Sequence, residues 1–288
     1  MGKLYVIATP IGNLKDITLR ALETLKECDI LAVEDTRHTL KLLNYYNIKK
    51  KMISYHKYNE KERIKILMKF LIEEDMKVGL VSNAGTPCIS DPGYLIVKEA
   101  RERGIEVISV CGPSAITSAL SVSGLPSDHF LFYGFLPKKE KDREKVLEEI
   151  KEKKIETFIL FESPKRIISL ARSIYRIFPS SKVCFCNDLT KIHEKIYYGP
   201  IEIVLEQLEN NPFSHLGEYT VIVYNEYERE NKEVIIEALI VETMIKKNID
   251  LKSAMEYVSK KYKISKKEVY NKVLNLKSLL RSKEDIKW

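Results

Sequence analysis

Small residues and prolines gather in three segments, residues 9–17, 82–93 and 112–115, and each follows a short apolar run. Such loops let backbone groups approach a ligand closely, because glycine lacks a Cβ and proline stiffens the chain. The second segment is longer than an ordinary turn between a strand and a helix, which favours a functional loop. If the three segments follow strands of one parallel sheet, they meet at one edge and build a single cleft.

Charged side chains follow other apolar runs. Glu34, Asp35 and Arg37 stand within four residues, and together they can accept a proton and hold an anion. The same residues also suit a helix start with Asp35 as its N-cap, so both interpretations stay open. Arg166 and Lys191 each follow another apolar run and place a cation where a phosphate could bind.

Composition excludes several classes of protein. The 288 residues are 44% hydrophobic and 31% charged, with 11 Gly and 10 Pro, which excludes collagen-like, low-complexity and disordered chains. No apolar run approaches the ~20 residues of a membrane span, so we expect a soluble, cytoplasmic protein. The five cysteines are scattered, without a Cys-x-x-Cys pair or a histidine at ligand spacing, so no metal site is expected.

The net charge of +7 is unevenly distributed. Residues 246–283 hold 12 basic and 3 acidic side chains, a net of +9, whereas residues 226–245 are acidic. A basic cluster of this kind is typical of a solvated face, but its density also favours a polyanionic partner.

Apolar periodicity predicts the elements that position these residues. Residues 1–110 alternate short apolar runs with helical spacing, which indicates a largely parallel sheet. Gly and Pro make residues 123–128 a linker, and a second alternating region follows. Three helices are expected near the end of the chain, the third with Ser265 as N-cap. The predicted domains are two α/β lobes and a basic helical module: residues 1–122, 123–228 and 229–288.

Five motifs occur in order: residues 4–14, Glu34-Asp-Thr-Arg37, residues 82–93, residues 112–115 and residues 161–164. In this combination the sequence resembles the small-subunit ribosomal RNA 2′-O-ribose cytidine methyltransferases of the tetrapyrrole methylase superfamily. The resemblance covers nearly the whole chain. It implies the class III methyltransferase fold, with two α/β lobes and S-adenosylmethionine held between them. It also implies 16S ribosomal RNA or the assembled 30S subunit as partner, a homodimer, and no membrane.

The resemblance assigns roles to individual positions. Thr86 stands where the wider superfamily has the Asp of a Gly-Asp-Pro motif, so it offers a neutral hydroxyl instead. The implied cofactor contacts are Pro10, Ser82, Asn83, Ala84, Gly85, Thr86, Pro87, Ile89, Ser114, Ala115, Phe161 and Glu162. Catalysis is expected from a proton acceptor, Glu34 or Asp35, and from cations that stabilise the ribose oxygen or its phosphate, Arg37 and Lys191. Contacts to RNA are expected from Arg166, Lys252, Lys260, Lys261, Lys266 and Lys267.

Two other functions stay open from the residues alone. A tetrapyrrole C-methyltransferase would use the same cofactor on an acidic macrocycle, but it would leave the basic tail without an obvious role. The second alternative is a metabolite-sensing protein that binds nucleic acid, because residues 251–277 have the pattern of a helix-turn-helix. Transfer of a labelled methyl group to small-subunit RNA would separate the three functions.

Overall fold

The computed structural model describes residues 2–227, 236–262 and 264–281. The chain divides into two compact units, Met1–Glu226 and Tyr227–Trp288. Within the described ranges, no helix combines the length and the apolar composition of a membrane span.

The first lobe of the larger unit alternates strands with helices. Its five strands are all parallel, in the order β3-β2-β4-β1-β5, so their carboxyl ends lie at one edge of the sheet. The elements are β1 (Lys3–Ile7), α1 (Leu19–Glu27), β2 (Ile30–Val33), α2 (Thr36–Tyr45), β3 (Lys51–Ser54), α3 (Glu60–Ile72), β4 (Lys77–Val81), α4 (Tyr94–Glu102), β5 (Glu106–Val110) and α5 (Ala115–Ser123).

Both faces of this sheet are buried. Leu31 packs on one face with Ile7 and Leu25, whereas its neighbour Ala32 packs on the other face with Leu4. Burial on both faces explains why the strands are continuous apolar runs rather than alternating ones.

The second lobe has a mixed sheet of five strands in the order β6-β7-β10-β8-β9, in which only β6 and β7 are parallel. The sequence pattern missed β9, which pairs with β8 at an edge of the sheet. Helix α5 packs on this second sheet, where Ala119 joins a cluster with Ile159 and Ile222. The elements are β6 (Leu131–Phe135), α6 (Glu140–Glu152), β7 (Thr157–Glu162), α7 (Ile167–Ile177), β8 (Lys182–Asn187), β9 (Lys195–Pro200), α8 (Ile201–Asn210) and β10 (Tyr219–Tyr224).

The smaller unit is helical in the part that the structure describes: α9 (Ile236–Lys247), α10 (Leu251–Tyr262) and α11 (Lys266–Arg281). Its core holds Ile240, Val258 and Val269, one from each helix. The Ser265 Oγ accepts a hydrogen bond from the Glu268 backbone N–H at 3.2 Å, so the predicted N-cap is confirmed.

Candidate active site

A cavity of about 490 Å³ lies between the two sheets of the larger unit. This volume is typical of small-molecule sites, which occupy roughly 300–1,000 Å³. The loops after β4 and β5 form its first-lobe wall, and the ends of β6, β7, β8 and β10 bring residues to the other wall. The first-lobe wall is therefore built where parallel strands end, as in other α/β proteins, whereas the second-lobe wall comes from a mixed sheet.

Most of the predicted cofactor residues line this cavity. Pro10, Ser82 and Asn83 instead line a neighbouring cavity of about 30 Å³, and Pro87 is buried. Lys191, predicted to be catalytic, lies in the wall of the large cavity. The cofactor candidates in that wall are Ala84, Gly85, Thr86, Ile89, Ser114, Ala115, Phe161 and Glu162.

Gly85 is held against the end of β1 by a pair of backbone hydrogen bonds with Thr9. Thr9 N–H donates to the Gly85 carbonyl at 2.9 Å, and Gly85 N–H donates back at 3.0 Å. The φ of Gly85 is +74°, a backbone conformation that glycine adopts more easily than other residues. A Cβ built at this position would lie 3.5 Å from Ile11 Cγ2, an ordinary contact. The backbone conformation, rather than crowding by protein atoms, is therefore the local reason for glycine here.

Asp91 also lines the large cavity, on the loop between β4 and α4. Burial and the nearby carboxylate of Glu34 raise the pKa of Asp91 to about 6, against the opposing effect of a hydrogen bond with Ser82. Glu34 does not line this cavity, and its Oε2 accepts a hydrogen bond from the Asn83 backbone at 3.2 Å. The sequence motif contained Asp91, but no local pattern distinguished it from a turn residue.

Asp35 and Arg37 form a pair at the start of α2, outside the large cavity. Asp35 Oδ1 accepts from the Arg37 backbone N–H at 2.9 Å, which is N-cap geometry. The Arg37 Nη2 donates to Asp35 Oδ2 at 2.8 Å, and the Arg37 side chain is 88% exposed. These hydrogen bonds lower the pKa of Asp35 to about 2. The structure thus contains the cap, and the catalytic roles of the pair stay a prediction.

Glu162 brings a buried carboxylate to the second-lobe wall. Its Oε1 accepts from the Ser163 backbone N–H at 2.6 Å and lies 2.5 Å from the Arg166 guanidinium. Its Oε2 is buried and has no hydrogen-bond partner among the described residues. Arg166, predicted to contact RNA, is thus an internal ion partner with a side chain 22% exposed. A free acceptor in a cavity wall is suited to a ligand that donates a hydrogen bond.

Lys191 stands between two carboxylates that sequence reasoning did not single out. Its Nζ lies 2.6 Å from Asp188 Oδ1 and 3.0 Å from Glu218 Oε2. Burial lowers the pKa of Lys191, but the hydrogen bonds with both carboxylates outweigh burial, so the pKa is raised. A Cβ built on Gly12 would lie 2.6 Å from Lys191 Cγ, so the first-lobe loop packs closely on this lysine.

The cavity wall is acidic. Four carboxylates and one ammonium line it, which is a net charge of −3: Asp91, Glu162, Asp188, Glu218 and Lys191. Apolar side chains, including Ile11, Ile89 and Leu189, line the same space. A cavity with this lining suits a ligand that combines a positive charge with an apolar or aromatic part.

The lysines predicted to contact RNA lie in the helical unit and are exposed: Lys252, Lys260, Lys261, Lys266 and Lys267. Lys266 Nζ lies 3.1 Å from Glu256, and Lys261 Nζ lies 5.3 Å from the centre of the Tyr262 ring. Lys263, which sequence reasoning included in this basic region, is outside the described residues.

Comparison with known proteins identifies the family. The family model described as Tetrapyrrole (Corrin/Porphyrin) Methylases matches residues 3–204. The chain belongs to the tetrapyrrole methylase family. Among solved structures, the fold is similar to that of a diphthine synthase, with a TM-score of 0.60 at 15% identity over 78% of this chain and 90% of the other.

Two relatives of this tetrapyrrole methylase carry a more specific name. A protein of Thermotoga maritima is 46% identical over 223 residues, which are 77% of this chain and 98% of the relative. A protein of Halalkalibacterium halodurans is 41% identical over 275 residues, 94% of each chain. Both carry the name Ribosomal RNA small subunit methyltransferase I. The predicted family and fold class are therefore confirmed, and the roles of individual site residues stay predictions.

Proposed function

We propose that this protein transfers a methyl group from S-adenosylmethionine to the 2′-oxygen of a cytidine ribose in 16S ribosomal RNA. The proposal depends on one observation: loops rich in small residues, in the part of the chain that the family model matches, meet at the acidic cavity between the lobes. Membership of the family makes the protein an S-adenosylmethionine-dependent methyltransferase, so the predicted enzyme class and cofactor are confirmed.

The residues of the cavity fit this cofactor. Its sulfonium is positively charged, which matches a wall of net charge −3. The unpartnered Glu162 Oε2 can accept a hydrogen bond from an amino group, and Gly85 lines the cavity without a side chain, so a ligand can approach its backbone closely. We therefore assign cofactor binding to Gly85 and its neighbours, to Ser114 and Ala115, and to Glu162.

When bound, the cofactor supplies a methyl group that is already activated for transfer. The chain must then hold the ribose oxygen in line with that methyl group, at a separation of about 3–3.5 Å. Interlocking of the Gly12 loop with Lys191 stabilises the second-lobe wall against the first lobe. Where bound ligands displace water from the cavity, its charged groups act more strongly on the reacting oxygen.

RNA binding is assigned to the exposed lysines of the helical unit. Such residues contact phosphates and give affinity without reading the base sequence. Selection of the target nucleotide is therefore assigned to the cavity and the loops that surround it.

A homodimer is supported by the edge strand β6. Phe130, which precedes the strand, and Tyr133 within it are 44% and 42% exposed, and neighbouring exposed aromatic rings favour an interface. Sedimentation equilibrium of the full chain tests this assembly. The predicted cytoplasmic location follows from the proposed substrate and stays a prediction.

Methyl transfer to defined RNA tests the function. Unmodified 16S RNA, both free and assembled into 30S subunits, is incubated with the protein and S-adenosylmethionine carrying a labelled methyl group. Label at one cytidine ribose, mapped by nuclease digestion and mass spectrometry, supports the proposal. Label on a tetrapyrrole substrate such as uroporphyrinogen but not on RNA would replace it with the C-methyltransferase alternative.

A further inference from the structure

The four carboxylates in the cavity wall differ in what neutralises them. Glu162 is paired with Arg166, and both Asp188 and Glu218 are paired with Lys191. Asp91 forms no ion pair with any residue that the structure describes. A carboxylate without a cation keeps more of its basicity, because no positive charge stabilises its ionised form.

The groups around Asp91 also keep its carboxylate basic. The groups that face it are the Glu34 carboxylate from the end of β2, the Ser82 hydroxyl from the end of β4, and the Cys88 thiol from its own loop. Glu60 of α3 faces that thiol in turn. Of these groups, the Glu34 carboxylate next to Asp91 is negative, and none carries a positive charge.

The loop that carries Asp91 is held on both sides. From α3, Glu60 Oε1 accepts hydrogen bonds from the Gly93 N–H at 3.1 Å and the Tyr55 hydroxyl at 3.0 Å. From the second lobe, β6 approaches so closely that a Cβ on Gly134 would lie 2.9 Å from Ser90 Oγ. Cys88 and Ser90, on either side of Ile89, have φ values of +72° and +64°. A strained loop that its neighbours hold in place is typical of a positioned functional group.

We propose that Asp91 is the proton acceptor of the methyl transfer, and that Glu34 is a positioning residue that keeps Asp91 basic. This inference rests on the proposed function. The ribose 2′-oxygen gives its proton to the Asp91 carboxylate and forms a bond to the methyl carbon with its lone pair. The bond between that carbon and sulfur breaks, and its electron pair stays on sulfur. Charge balances, because the carboxylate and the sulfonium both end neutral.

The other candidates are less suited to this step. Asp35 is bound by Arg37 and its pKa is about 2, which makes it a weak base. Glu34 lies outside the large cavity and accepts a hydrogen bond from the Asn83 backbone. Because general bases work best with a pKa near the working pH, the pKa of about 6 at Asp91 suits the task better.

Asp91→Asn tests the proposal on the full chain. We expect methyl transfer to fall by about 10²–10⁴-fold, the usual contribution of a general base. Calorimetry is expected to show a change of less than about tenfold in S-adenosylmethionine affinity, which separates the transfer step from binding. In the wild type, kcat/KM should fall as the pH drops through about 6, the pKa of Asp91, and the residual activity of Asp91→Asn should lack this acid limb.

The Glu34→Gln variant tests whether Glu34 acts on the basicity of Asp91 or only on the structure of the loop. It removes the negative neighbour of Asp91, so the acid limb should shift to lower pH. An NMR titration of the labelled carboxyl groups in the cofactor-free protein should show the same shift for the resonance that Asp91→Asn removes. Glu218→Gln is the matched control, since it removes a cavity carboxylate but should leave the acid limb in place.

Two outcomes would overturn the assignment of Asp91. One is a folded Asp91→Asn protein with wild-type turnover and an unchanged pH profile. The other, which decides the question if Asp91→Asn does not fold, is a Glu34→Gln protein with an unshifted acid limb. A wild type that binds S-adenosylmethionine but methylates no ribosomal RNA refutes the proposed function instead.

Discussion

Gly85 provides a quantitative test of how the cavity holds its cofactor. Its φ of +74° costs a residue with a Cβ about 1–2 kcal/mol relative to glycine. When the substituted loop relaxes to a more favourable φ in the free protein, the original conformation must be restored on binding. The cost of restoring it is then subtracted from the binding free energy of the cofactor. Since 1.4 kcal/mol is a factor of ten in affinity, we expect roughly a 5–30-fold weaker S-adenosylmethionine affinity from the backbone alone.

Gly85→Ala and Gly85→Val separate the backbone from the side chain. The alanine Cβ would lie 3.5 Å from Ile11 Cγ2, so it fits, and only the backbone effect should be measured. Valine adds two methyl groups at the cavity wall and restricts its backbone further. We therefore expect Gly85→Val to lose more affinity than Gly85→Ala in isothermal titration calorimetry.

Gly104 offers a matched control outside the cavity. Its φ is +71°, and a Cβ built there meets nothing within 4 Å. Gly104→Ala should lower the melting temperature by roughly 2–8 °C, as expected for 1–2 kcal/mol in a domain of this size, and leave the affinity unchanged. A folded Gly85→Val protein that binds S-adenosylmethionine as tightly as the wild type would refute the role of this loop in the site.

Three further predictions concern charged residues and the helical unit. Arg166→Ala leaves the buried Glu162 without its cation, so thermal melts should show a loss of about 3 kcal/mol; a purely RNA-binding arginine would leave the melt unchanged. Arg37→Ala should reduce methyl transfer far more than cofactor affinity; wild-type turnover would mean that its pairing with Asp35 serves only the helix cap. A chain ending at Glu226 should fold and bind the cofactor in calorimetry, because its two sheets have their own cores. The slope of log RNA affinity against log salt concentration should become shallower by about 0.7 for each phosphate that the missing lysines would have bound. An unchanged slope would remove these lysines from the interface.

Local patterns were sufficient for β1, β2, β4 and β5 of the first lobe, because a parallel strand buried on both faces is a short apolar run between helices. They did not predict β3, a partly exposed strand at the edge of the sheet. They were insufficient for β9 and α8. The strand β9 begins with an exposed lysine and alternates exposed and buried residues, since it lies at an edge of the sheet. It pairs with β8 as a hairpin across residues 188–194, with Asn187 opposite Lys195, but a half-exposed edge strand gives a weaker signal than an apolar run.

Some features of the candidate site were also predictable from the sequence, and others were not. The loop around Gly85 was predictable because small residues and prolines restrict the backbone wherever they occur. The joint pairing of Lys191 with Asp188 and Glu218 was not, because Glu218 is far from the other two residues in sequence. The antiparallel register of β8 and β10 sets Asn187 opposite Tyr219, and this places the two carboxylates side by side.

The sequence alone determined the strands and helices with buried apolar runs, the positions of the loops rich in small residues and prolines, and the chemical groups that each loop could offer. The tertiary structure decided which of those groups share a cavity and which charges are already neutralised. Asp91 shows the difference. Its residue type was visible in the sequence, but its basicity depends on the burial of its loop and on Glu34 from another strand, and electrostatic energies depend on distance and surroundings rather than on sequence order.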